Sequence, residues 1–338
     1  MMGRRAGALA SAFLLLAATA ALAQSKAPQS RGLSKDEQKE FAAITALLSA
    51  SRPPANDLNL AWDSHELLKA QGNSEFVPFT VTLDGSQLSD THFSLYWRVV
   101  SKNQPAPDPK ARKDKAPDYA AQNLHSVTVA ARSGTLKLSR SFVVPAGEYD
   151  VYVVAKEPDP KKKGVASKVG FVKQSVTVTD LWNGEFTTGS VIVAERVDPL
   201  PAPLTAAQIE ERPFAAVVVG SEIVPARNPK LSKRGELTVF VPIYNAALGT
   251  SGSPDVMVEY NFYITQNGSE KFFNKTQPQT FNAQTVPAGT DAAAGLPGGQ
   301  TIPLSSFPEG QYRLEMKITD KLATKSLTRE ARFSVSGS

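Results

Sequence analysis

Apolar and polar residues alternate along most of the chain with a period of two. Val77, Phe79, Val81 and Leu83 share one parity in "EFVPFTVTLD", and Phe93, Leu95, Trp97 and Val99 share one in "HFSLYWRVV". Such alternation puts one face inward, as in a half-buried antiparallel strand. Leu58, Leu60 and Trp62 continue the pattern, and further strands are predicted over 124–131, 135–143, 148–156, 170–179 and, in "EFTTGSVIVAERV", from Glu185, the last of which could close the first domain or open the second. After a Pro-rich stretch the rhythm resumes at 217–219 and 223–224, then in "ELTVFVPIYNA". Pro242, on the outward parity there, predicts an edge strand or a bulge. Asn267-Gly268, between "VMVEYNFYIT" and "EKFFNKT", is the strongest hairpin signal in the chain. One stretch has helical period instead. Ser34 and Glu37 form a capping box, and Phe41, Ile44, Leu47 and Leu48 follow at helical spacing until Pro53-Pro54. This short amphipathic helix is expected to dock on the first domain.

One phrase occurs twice. "VPAGEYDVYVVAKE" begins at Val144 and "FPEGQYRLEMKITD" at Phe307. In each, a proline (Pro145, Pro308) fixes φ at a corner and a glycine (Gly147, Gly310) permits positive φ. A tyrosine (Tyr149, Tyr312) then faces the core with its hydroxyl aimed back at the backbone, as in a tyrosine corner. These residues are read as structural, one corner per sandwich. The predicted organisation is a leader at 1–23, a linker and helix at 24–56, a first sandwich at 57–196, a Pro-rich linker at 197–214 and a second sandwich at 215–338.

The two phrases resemble the penultimate strand of immunoglobulin-like and fibronectin-III-like modules in bacterial exported proteins. "ELTVFVPIYNA" and "FPEGQYRLEMKITDKLATKSLTREARFSV" carry the likeness in the C-terminal half. The likeness covers about a third of the chain. It implies an all-β chain of two tandem Ig-like β-sandwich domains and export, and it brings no catalytic residues. The inter-sheet disulfide of antibody domains is missing, because the chain has no Cys.

Composition narrows the function. Arg4 and Arg5, an apolar stretch over 6–20 and Ala21-Leu22-Ala23 read as a secretory signal peptide. Its removal leaves 315 residues and lowers the formal charge from +5 to +3. That balance does not suit a nucleic-acid binder. No later segment is apolar enough to span a bilayer, so a periplasmic or extracellular location is expected. Without Cys, thiol chemistry and Cys-based metal sites are excluded.

The motifs nominate no catalytic residue, cofactor or metal. His65, His92 and His125 lie at no metal-ligand spacing. His65-Glu66 lacks the second His of a zinc-protease helix. "GTSGS" fails as a nucleophile elbow at Ser253. Asp159 and Asp180 could meet calcium but show no ordered ligand register. Two features remain as binding candidates. One is the basic loops with Lys110, Arg112, Lys113 and Lys115, and with Lys161, Lys162 and Lys163. The other is the outward-parity aromatics Tyr96, Tyr152, Phe240, Tyr244 and Tyr263. The expected function is a non-enzymatic exported interaction or assembly module with protein partners in the envelope or outside the cell. The alternatives are binding of glycans or anionic polymers, and hydrolysis at an unrecognised site.

Overall fold

The computed structural model describes residues 33–103, 119–160, 166–218, 220–286, 291 and 295–337. The predicted leader, and the seven basic residues Lys110, Arg112, Lys113, Lys115, Lys161, Lys162 and Lys163, lie outside them. Helix α1 (Lys35–Ser49) begins as expected: Glu37 N donates to Ser34 Oγ at 3.3 Å, and Ser34 N donates to Glu37 Oε2 at 2.9 Å.

Two sheets form the first sandwich. In one, β3 (Glu75–Asp84) lies between β6 (Thr135–Val144) and the short β1 (Ala61–His65) and β2 (Leu68–Lys69). In the other, β4 (His92–Ser101) and β7 (Gly147–Lys156) are central, flanked by β5 (Ala121–Thr128) and β8 (Val169–Val178). The inward rows predicted on β3 and β4 meet in one core, with Phe79, Val81, Phe93, Leu95, Val151 and Val153 all fully buried. Helix α1 covers the outer face of the second sheet, where Ile44 packs on Tyr96, Leu124, Val154 and Val169.

The second sandwich also has two sheets. One is built on β13 (Glu236–Tyr244), which pairs with β17 (Leu296–Pro303), β10 (Ile192–Pro199) and β9 (Thr187–Thr188); β11 (Ser221–Pro225) extends it beyond β10. The other runs β12 (Lys230–Ser232), β19 (Lys325–Ser336), β18 (Gly310–Asp320), β14 (Val256–Gln266) and β15 (Ser269–Lys275), and β16 (Gln279–Phe281) also pairs with β14. Asn267 and Gly268 turn the β14–β15 hairpin with φ of 51° and 76°. Leu237, Val239, Val241, Val258, Phe262, Leu314 and Met316 form the second core.

Pairing decides an assignment that the sequence leaves open. The segment from Glu185 could close the first sandwich or open the second, and β9 and β10 hydrogen-bond to β13 in the second. The predicted linker at 197–214 is ordered as well: it holds the end of β10, helix α2 (Ala206–Glu211) and a 3-10 turn from Pro213. Alternation reveals which face of a strand is buried but not which neighbour it joins. Pro242 likewise lies on a central strand. Its missing N–H falls where the neighbouring ladder is broken, between the Ile192–Phe240 pair and the Thr188–Ile243 pair.

Candidate functional site

The break in that ladder builds the joint between the sandwiches. Beside Pro242 the chain leaves the sheet at Gly189-Ser190 and meets Leu67 of the first sandwich. Ser190 N donates to Leu67 O at 2.9 Å, and Leu67 N donates to Ser190 Oγ at 2.8 Å. A Cβ at position 189 would lie 2.7 Å from Leu67 O and 2.9 Å from Pro242 Cγ, so only glycine fits. Half-buried Glu66 bonds to the Ser190 hydroxyl. Burial pushes its carboxyl up to about 7, against the opposing pull of Ser190 and Arg227. Burial, helped by Arg227, pushes neighbouring His65 down.

A lysine fastens the next stretch. Lys69 N donates to Tyr244 Oη at 3.2 Å, and Lys69 Nζ donates to Asn245 Oδ1 at 2.7 Å. The ammonium also sits 4.3 Å from the Trp182 ring and 5.1 Å from that of Tyr244. Trp182 Nε1 reaches back to Ser74 O at 2.9 Å. Glu75 is wholly buried beneath this cage and accepts from Leu181 N at 3.1 Å. Burial raises its pKa and Asp180 adds to the rise, while the Leu181 bond and Lys69 oppose it.

The Pro-rich segment acts as a strap. Phe214 packs on Ile192, Ala194, Ile223 and Phe240 of the second sandwich. Ala216 and Val217 pack against Leu68, Ala70 and Phe76 of the first. Helix α2 closes the open side between β5 and β6. Glu210 accepts from Asn123 Nδ2 at 3.2 Å and lies 3.5 Å from His125 Nε2. Arg140, buried in the inward row of β6, reaches the Glu211 carbonyl at 3.5 Å.

Two concave surfaces result. A polar cleft of about 340 Å³ at the joint is lined by Asp63, His65, Glu66, Arg227, Glu330 and Arg332, among others. A more apolar groove of about 400 Å³ lies at one end of the second sandwich, with Phe186, Ala246, Ala247, Leu248, Ala323 and Lys325 in its walls. The buried Asp320 carboxylate braces this groove, accepting from Ala247 N at 2.7 Å and from Leu322 N and Ala323 N at 3.0 Å each. Leu248 in its wall is 54% exposed, and Leu322, the chain neighbour of lining residue Ala323, is 46% exposed. The remaining exposed large apolar side chain among the described residues is Phe272, at 57%.

The predicted residues fall as follows. Tyr149 Oη donates to Pro145 O at 2.9 Å and Tyr312 Oη to Pro308 O at 2.6 Å, while Gly147 and Gly310 take φ of 158° and 157°. The outward aromatics make no open platform. Tyr96 is buried under Phe41 of α1, Phe240 under the strap, and Tyr244 in the lysine cage. Tyr152 lies beneath Arg98 and Lys173, and Tyr263 between Phe272 and Arg313. Asp159 is taken up by Lys156 and Ser167, and Asp180 accepts from Trp182 N. Sequence reasoning missed the groove, since its walls come from three segments, around 184–186, 245–248 and 323–325, that are far apart in the chain. It also missed Arg140, whose only signal is a charge within an apolar row.

No protein-family model and no curated protein matches the chain. Among solved structures, dimeric latent PorU from Porphyromonas gingivalis aligns with 82% of this chain and 20% of its own, at 10% identity and a TM-score of 0.31. Salmonella alpha-2-macroglobulin reacted with methylamine aligns with 82% of this chain and 16% of its own, at 13% identity and a TM-score of 0.21. The chain thus spans a fifth or less of the length of these proteins. Likeness at these scores carries no statement about activity. Among the described residues, no helix is long and apolar enough to cross a membrane.

Proposed function

We propose that the chain is an exported, non-enzymatic interaction or assembly module whose joined sandwiches present one groove to a protein partner. The braced groove, with exposed Leu248 in its wall and exposed Leu322 next in the chain to its lining residue Ala323, carries this reading. Exposed apolar side chains grouped at a preformed concavity are the usual mark of a contact surface. Export rests on the leader read at 1–23. The joint around Ser190 and Lys69 links the sandwich that carries the groove to the first sandwich.

The test is cross-linking in intact cells from a photoreactive residue placed at Lys325. A defined adduct in the envelope or extracellular fraction, lost when Leu248→Asp and Leu322→Asp are combined, supports the reading. No adduct, or one that survives both changes, sinks it.

A further inference from the structure

The lysine cage places an amine against a carboxamide. Lys69 Nζ lies 2.7 Å from Asn245 Oδ1, so the amide carbon, one carbonyl bond further, is within about 4 Å of the nitrogen. Atoms poised to react stand about 3–3.5 Å apart, so a slide of about 1 Å or less brings these two together. Asn245 Nδ2 donates to Leu181 O at 3.0 Å and to Glu185 O at 2.8 Å. Two carbonyl acceptors fix which end of the amide is nitrogen, and the carbonyl end therefore faces the lysine. Asn245 itself takes a left-handed φ of 58°, one residue beyond the end of β13.

A buried acid stands beside the pair. Glu75 is the direct cross-strand neighbour of Lys69 in the β2–β3 ladder, which puts their Cβ atoms roughly 5 Å apart. One Glu75 oxygen accepts from Leu181 N at 3.1 Å while Leu181 O accepts from Asn245, so one residue ties the acid to the amide. Its other oxygen, Oε2, is buried with no hydrogen-bond partner among the described residues. Such an oxygen is costly as a structural element and suits a group that takes and gives protons. Burial raises the Glu75 pKa and lowers that of Lys69, although Asp291, Asp180 and Glu75 pull the lysine the other way. Both shifts favour moving a proton from the ammonium to the carboxylate, which frees the lone pair of the amine.

We propose that Lys69 and Asn245 become joined by an isopeptide bond that forms within the folded chain and ties the two sandwiches covalently. The arrangement described above is the one before reaction. Lys69 Nζ attacks Asn245 Cγ, forming the new C–N bond, while Glu75 protonates Oδ1. Glu75 then carries a proton from Nζ to Nδ2. The C–Nδ2 bond breaks, the carbonyl reforms as Oδ1 returns its proton to Glu75, and ammonia leaves. One amine and one primary amide give one secondary amide and one ammonia, with no oxidant, reductant or co-reactant. The chain has no Cys, so no disulfide can make this tie. The bond goes beyond the module reading and does not depend on the groove.

Mass spectrometry of the purified, exported protein gives the test. Digested wild type is expected to yield a branched peptide in which Lys69 joins Asn245, with tryptic cleavage after Lys69 lost and one ammonia missing from the summed mass. Lys69→Arg keeps a cation beside both rings but removes the nucleophile, and is expected to fold, by circular dichroism, without the branch. Glu75→Gln is expected to fold and to be largely unlinked when purified, and Glu75→Asp to recover part of the linkage. Wild type with Lys69 fully cleavable and Asn245 unmodified overturns the proposal. Ammonia loss at Asn245 with Lys69 still cleavable is cyclisation of the asparagine alone and overturns it too. Full linkage in Glu75→Gln overturns the assignment of Glu75 as proton carrier.

Discussion

Tyr149 and Tyr312 each close a corner by giving their hydroxyl proton to a proline carbonyl four residues back. Tyr149→Phe and Tyr312→Phe each leave that carbonyl without its donor and are expected to cost about 1 kcal/mol in urea unfolding. The tyrosines belong to separate cores, so the costs should add in the double variant. Glu66 gives a pH dependence whose sign follows from its raised pKa. The folded protein holds a proton up to about pH 7 that the unfolded chain releases near 4.5. Its stabilising contribution is complete below 4.5, declines as pH rises through 7 and is absent above, a swing on the order of 2–3 kcal/mol. Burial of His65 acts in the opposite direction, so the difference between wild type and Glu66→Gln isolates the carboxyl. Glu66→Gln is expected to raise the melting temperature at pH 8 and leave it unchanged at pH 4. Equal shifts at both values would remove Glu66 as the source. The corners were legible in the sequence because the whole device lies within five consecutive residues. Glu66 was not, since its burial depends on Ser190, more than a hundred positions away.

Helix α1 shows how far local signals reach. Its cap, its apolar stripe and its docking on the first sandwich all follow the sequence expectation. Ile44 is wholly buried against Tyr96 and Val154, so Ile44→Asp is expected to release the helix. Limited trypsin digestion should then cut at Lys35 and Lys39 well before the sheets are attacked. Unchanged protection would mean that Phe41, Leu47 and Leu48 hold the helix without it. The Asn267-Gly268 hairpin was equally legible, because a two-residue turn sets its own register. Strand β10 and the strap were not. Ile192 to Ala194 carry no mark of which sheet they join, and prolines that suggest a loose linker also suit a short helix entered at a capped Thr205. The groove escaped notice for the same reason: its floor is set by Asp320, and its walls come from loops distant in sequence.

Across the whole molecule, the two cores are joined by a few polar contacts and by the apolar packing of the strap. The Lys69 cage joins β2 to the end of β13 through Tyr244 and Asn245. Lys69→Ala removes the cation over both rings, at a cost of about 1–2 kcal/mol, while the Ser190–Leu67 bonds remain. Its effect should appear as a larger radius of gyration by small-angle X-ray scattering, and Lys69→Ala with Ser190→Ala should enlarge it further. No change in the double variant would show that the strap alone fixes the arrangement. The strap also bears on how the chain matures. Arg140 and His125 lie at an opening of the first sandwich that is filled by residues made only after β8 and β10 have emerged. During N-to-C synthesis the first sandwich therefore spends an interval with a charged side chain facing an unsealed interior. A nascent chain halted before residue 206 should be markedly more open to protease at β5 and β6 than one halted after residue 218.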